Sequence, residues 1–185
     1  MNEEAVSAIA GLEERRRRSL AAVVVSGTAG FLSLLALIRY GIGGEGLVAV
    51  FVIAVLVVLS RQDLERRIIP NRIVLPAAAV VLVANVALHS DRWYEWLLAS
   101  LGAGLFFLVF ALARRGALGM GDVKLALFLG AALGEDVIVA LIVGTLAAAA
   151  LGIAILVREG SEGRKRAIPL GPFLAGGAIV VLLFL

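Results

Sequence analysis

Apolar positions in this chain do not alternate with polar ones. They come in solid runs, each near the roughly 20 residues a helix needs to cross a bilayer, separated by short polar turns. The pattern predicts helices over 19–40, 46–66, 72–89, 93–113, 121–134, 136–157 and 168–185. Solid runs are not the alternating pattern of barrel strands, and a backbone in lipid must satisfy its own hydrogen bonds. The expected fold is therefore all-α: a polytopic membrane bundle of about seven transmembrane helices, with no room for a soluble domain. Residues 1–18 read as a basic tail, too polar for a simple cleaved signal. Residues 19–45 read as an extra N-terminal helix with its outer loop, and 46–185 as the main membrane domain. One run is short. Val123 to Leu133 precedes Glu135 and Asp136, and at about 1.5 Å per residue it falls well below the roughly 30 Å hydrocarbon core. Such a helix fits if its first turn starts below the membrane surface, inside protein.

The turns carry an orientation. With the N-terminus in the cytoplasm, the inner segments hold Arg15 to Arg18; Arg61, Arg66, Arg67 and Arg72; Arg114, Arg115 and Lys124; and Arg158, Arg164, Lys165 and Arg166. The outer segments hold only Arg39 and Arg92 of the 17 basic residues. This asymmetry is the positive-inside signal. It predicts a multi-pass protein of the cytoplasmic membrane and puts Asp63 and Asp122 on its cytoplasmic side.

Composition narrows the chemistry. The chain is 62% hydrophobic, with mean hydropathy +1.05 and net charge +3. Its basic residues lie in turns rather than on one face, so the lipid bilayer is a partner and nucleic acid is not. Cysteine is absent, which excludes disulfides, thiolate zinc sites and a cysteine nucleophile. The single His89 stands beside Ser90 and Asp91 at a helix end and reads as interfacial. Ser100 and Ser161 have no histidine on their side of the membrane.

Two acids remain. Asp63 shares a helix face with Leu59 and Leu56 by i−4 and i−7 spacing, so it should look into the bundle. The plain alternative is an ion pair with Arg66 or Arg67 at the helix end. Asp122 stands in Gly119-Met120-Gly121-Asp122-Val123-Lys124. Its plain alternative is a helix N-cap, without a capping box because position 125 is Leu. Flanking glycines are more than a cap needs and allow another chain close approach. Taken together, two carboxylates at one membrane face can hydrolyse a peptide. One takes a proton from water and the other polarises the scissile carbonyl; held close, they cannot both ionise and share a proton. No cofactor and no metal is required.

Here a resemblance becomes specific. Gly119-Met120-Gly121-Asp122 resembles the GxGD signature of membrane aspartyl proteases. Asp63 with Ile69-Pro70-Asn71 resembles the first catalytic motif of the type IV prepilin peptidases, Val123-Lys124-Leu125 resembles their GxGDxKL extension, and Ile168-Pro169-Leu170-Gly171-Pro172-Phe173 resembles their C-terminal motif. Counted from the Asp63 helix, GxGD falls on the fourth of six helices, as that family's architecture implies. The resemblance implies a six-helix peptidase core plus one N-terminal helix. It makes Asp63 and Asp122 catalytic, with Gly119, Met120, Gly121, Lys124, Pro70, Asn71, Pro169, Gly171 and Pro172 forming the active-site loops. The implied substrate is a prepilin or flagellin precursor with a basic leader and an apolar helix, cut at the cytoplasmic face. Glu65 is a candidate contact for that leader. Many bacterial relatives carry a cytoplasmic insertion with Cys-x-x-Cys pairs, associated with N-methylation of the cleaved pilin. This chain has no Cys and a tiny loop over 41–45, so it resembles the peptidase-only form found with Flp/Tad-type pili or archaeal substrates. Two rivals stay open. One is a signal-peptide-peptidase-like GxGD protease, which usually shows Tyr-Asp and Pro-Ala-Leu-Pro motifs. The other is a small proton- or cation-coupled transporter, which usually shows repeats and midplane charges.

Overall fold

A computed structural model of the chain describes residues 3–113, 118–160 and 168–185. Arg114, Arg115, Ser161 and Arg164 to Arg166 lie outside the described residues. Seven α-helices are described: α1 (Glu3–Tyr40), α2 (Gly44–Arg66), α3 (Asn71–Leu88), α4 (Trp93–Ala113), α5 (Met120–Leu133), α6 (Val137–Glu159) and α7 (Gly171–Phe184). Short 3-10 turns, Ser90–Arg92 and Gly134–Asp136, lead into α4 and α6. The spans 21–40, 44–66, 71–88 and 90–113 are each long and apolar enough to cross a membrane, as is the stretch 120–159 that holds α5 and α6. The protein is a multi-pass, all-α membrane bundle.

Two helices differ from the sequence expectation at their starts. Helix α1 begins at Glu3 rather than Ser19. Its apolar part, 21–40, needs only about 30 Å, so the helix runs on far beyond the hydrocarbon. Helix α7 begins at Gly171 rather than residue 168, because Pro169 disfavours helix in the residue before it and Pro172 suits only a first turn.

Helices α5 and α7 are the core. Each has 14 residues, about 21 Å of helix, and each is buried along most of its length. Leu125, Phe128, Leu129 and Leu174 are buried to 1% or less. A helix apolar all round belongs inside a bundle, and α5 is enclosed by α3 and α4. Two buried polar residues stitch it there. Asn85 of α3 donates Nδ2–H to the Ala131 carbonyl at 2.9 Å, and Ser100 of α4 donates Oγ–H to the Leu127 carbonyl at 2.9 Å. Such bonds between membrane helices are modest but specific.

Small residues set the closest crossings. Gly130 lies against the backbone of Ala99 and Ser100, and Gly177 against that of Ala140 and Gly144. A side chain at either position would force α4 from α5, or α6 from α7. Gly104 and Gly171 also sit in tight contacts, but Gly102 and Gly176 do not: a Cβ at either would meet nothing within 4 Å. Both face open grooves.

The helices alternate in direction, so the bundle has two ends. One carries Arg39, Arg92 and His89. There Tyr40 and Arg39 donate to the Leu182 and Leu183 carbonyls, tying α1 to α7. His89 stands 3.4 Å from Glu45 and 5.3 Å, ring to ring, from Trp96, an interfacial role. The other end carries Asp63 and the starts of α5 and α7. The backbone at Phe173 and Leu174 packs on Gly144, and α6 continues to Glu159. The start of α7 therefore lies about 18 Å below the end of α6.

Candidate active site

Helix α2 delivers Asp63 to the interior. Leu56 and Leu59 are buried at 0% and 1%, and Asp63, on the same face, is only 6% exposed. One residue beyond α2, Arg67 takes the left-handed conformation (φ 53°, ψ 37°) and donates its N–H to the Asp63 carbonyl at 2.8 Å. For a residue with a Cβ that conformation costs about 1–2 kcal/mol. It turns the chain at once into the extended Ile68 to Pro70 segment. The ion pair considered for Asp63 is not formed: among the described residues its close partner is the backbone of α7. The Gly171 N–H donates to Asp63 Oδ2 at 3.0 Å. Glu65 pairs with Arg61 at 2.7 Å, with its side chain half exposed.

Asp122 is not an N-cap. Gly119 holds that position with extended backbone (φ −77°, ψ 145°), and Asp122 is the third residue of α5. Its Oδ2 accepts the Gly119 N–H at 3.2 Å. Gly119 has no side chain to reciprocate, so only the reach-back half of a capping box exists. Asp122 is partly exposed where Asp63 is buried, and the segments that follow Asp63 and precede Asp122 touch, Ile69 packing on Gly121. Each carboxylate thus has one oxygen held by a backbone amide, while its second oxygen has no hydrogen-bond partner among the described residues.

The three motif segments meet. Ile69 is buried against Gly121, where a Cβ would stand 3.0 Å from the Ile69 Cβ. Asn71 accepts from Lys124 Nζ at 2.6 Å. Gly171 lies so close to Asp63 that a Cβ would be 2.7 Å from Oδ2. Pro70 is the N-cap of α3 and positions Asn71. The remaining loop candidates are further out. Met120 is 53% exposed. Pro169 lines a shallow cavity with Arg67 and Arg158, and Pro172 lines a groove between α1, α2 and α7. Sequence reasoning missed Leu118 and Leu170, which stand one residue before the two amide-bearing glycines and line one and the same cavity.

Comparison with known proteins now has a site to refer to. Residues 50–157 match the model of the type IV leader peptidase family. The chain belongs to that family. The matched residues include Asp63 and Asp122 but not Gly171. The chain is 31% identical over 147 residues to the prepilin leader peptidase/N-methyltransferase of Bacillus subtilis (strain 168), covering 80% of this chain and 59% of that protein. It is 30% identical over 152 residues to the protein of that name in Xanthomonas campestris pv. campestris, with 77% and 52% covered. For the Pseudomonas putida protein the figures are 32% over 162 residues, with 82% and 54% covered. The chain thus spans a little over half the length of these relatives. No solved structure matches it at comparable significance.

Proposed function

We propose that this chain is an aspartyl leader peptidase that cuts a basic leader from a prepilin-like precursor. A water held between the free oxygens of Asp63 and Asp122 attacks the scissile carbonyl. One carboxylate takes a proton from the water and later gives it to the leaving amine; the other, protonated, donates to the carbonyl oxygen and recovers its proton as the tetrahedral intermediate collapses. One observation carries the reading: three segments far apart in sequence converge on two carboxylates, each fixed by one backbone amide. Family membership supports the same reaction class. The excess of Lys and Arg near the Asp63 end supports a cytoplasmic active site in the cytoplasmic membrane. A transporter is the weaker reading, because the acids gather at one end rather than at the midplane.

The relatives are named for two activities, and this chain takes only the first. With no Cys in 185 residues, it cleaves without methylating the new N-terminus. The decisive experiment reconstitutes the chain in liposomes with a precursor of leader, Gly and apolar helix. Asp63→Asn and Asp122→Asn should each insert, accumulate and fail to cut, while the unmodified protein cuts in the presence of chelators. Full processing by either variant would remove that aspartate from the reaction. A mass gain of one methyl group on the product with S-adenosylmethionine would show a second activity.

A further inference from the structure

Helix α6 packs on α7 and stands off from α4 over most of its length. A continuous apolar groove runs between α4 and α6. Its half near the Arg39 end holds about 670 Å³ and its half near the Asp63 end about 460 Å³, and the two share Phe106, Leu141 and Ile142. Among the described residues the only carboxylates on its walls, Glu95 and Glu135, lie at the far mouth. Thr145 offers no free donor, because its hydroxyl is bonded to the Leu141 carbonyl at 2.6 Å. The groove floor at Gly102 is open, with nothing within 4 Å of a Cβ built there.

What the groove leads to decides its occupant. Its inner end is walled by Leu118 and Leu170. Leu118 precedes Gly119, whose N–H holds Asp122, and Leu170 precedes Gly171, whose N–H holds Asp63. An apolar helix lying in this groove would therefore leave it at the two turns whose amides hold the carboxylates. The second groove near the site, between α1, α2 and α7, fits less well. It reaches only the α2 and α7 side, is walled by α1, and carries Arg61 and Glu65 on its lining.

We infer that the α4–α6 groove is the docking site for the apolar helix of the substrate, entering sideways from the lipid and presenting its cut site at Leu118 and Leu170. The inference rests on the leader-peptidase reading and adds the route of entry. Recognition is by shape and apolar burial, with no polar handle, so it tolerates many apolar sequences.

The two open glycines make the test. Gly102→Phe projects into the α4–α6 groove and Gly176→Leu into the other, and the Cβ of each new side chain meets nothing within 4 Å. Two substrates are compared in liposomes: a full precursor and a short peptide that spans the cut but lacks the helix. Gly102→Phe should lower kcat/KM for the full precursor by about tenfold or more, the scale of an apolar side chain denied its pocket, and leave the short peptide unchanged. Gly176→Leu should change neither. A second readout uses the absence of cysteine. Ile142→Cys, in the Asp122→Asn background, should form a disulfide with a single Cys in the precursor helix, and Val25→Cys in the other groove should not. Equal rates for Gly102→Phe and the unmodified protein, equal slowing of both substrates, or cross-linking only at Val25→Cys would each overturn the inference and leave the peptidase reading standing. An unmodified protein that cuts neither substrate would instead remove the peptidase reading, and the docking site with it.

Discussion

A single methyl group on Gly171 should disable the site without unfolding the protein. Built on the observed backbone, that Cβ stands 2.7 Å from Asp63 Oδ2, 3.1 Å from its Cγ and 3.3 Å from its Cβ. Comfortable contact needs roughly 3.5 Å, so something must give by most of an ångström. The backbone of α7 is held on α6 at Gly144 and Gly177, so the carboxylate moves. It then loses the 3.0 Å bond from the Gly171 N–H. A hydrogen bond to a charged acceptor is worth about 1.5–3 kcal/mol. If all of it is felt in the reacting state, kcat/KM falls about 10- to 150-fold. The assay is precursor cleavage followed by gel shift over a substrate series. Thermal unfolding of the same preparation should stay within about 1 kcal/mol of the unmodified protein. Gly176→Ala, on α7 with open space around it, is the control and should cut normally. Cleavage by Gly171→Ala within twofold of normal would show that the amide of α7 does not position Asp63.

The other predictions address neighbouring contacts. Gly121→Val should press on Ile69, already 3.0 Å from the position of its Cβ, and overpacking of about 1–3 kcal/mol should slow cleavage; a normal rate would make Gly121 a mere loop former. Lys124→Met and Asn71→Ala remove the two ends of one 2.6 Å bond, so their effects on kcat/KM should be non-additive by about 0.5–1.5 kcal/mol; strict additivity would deny the bond a role. Asn85→Ala should destabilise the bundle by about 0.6–1.7 kcal/mol, read by unfolding in mixed micelles, with kcat little changed. His89→Ala, at the opposite end, should leave cleavage untouched, and a loss of rate would contradict its assignment as interfacial.

Much of this was legible in the chain. Leu56, Leu59 and Asp63 announce their shared face by spacing alone, and the shortness of the run after Asp122 announces a helix that starts inside protein. What escaped reading had no local signal. Helix α1 continues back to Glu3 through Glu and Arg residues that favour helix but break the apolar run. The role of Asp122 as the third helical residue rather than the cap depended on where the backbone turned. Gly102 and Gly176 look in sequence like the packing glycines Gly104 and Gly177, because a small residue permits a close neighbour without requiring one. Asn85 and Ser100 become stitches only once the facing carbonyls are known.

The depth at which α7 starts has a consequence for the substrate. About 18 Å of α6 stands above it, and an extended chain covers about 3.3 Å per residue. On the leader-peptidase reading, a leader would stretch about five residues from the cut before it passes the end of α6. On that reading the protein would gauge its substrate as a plumb line gauges a well, by the length of peptide that passes α6, with no contact to any particular leader side chain needed to do so.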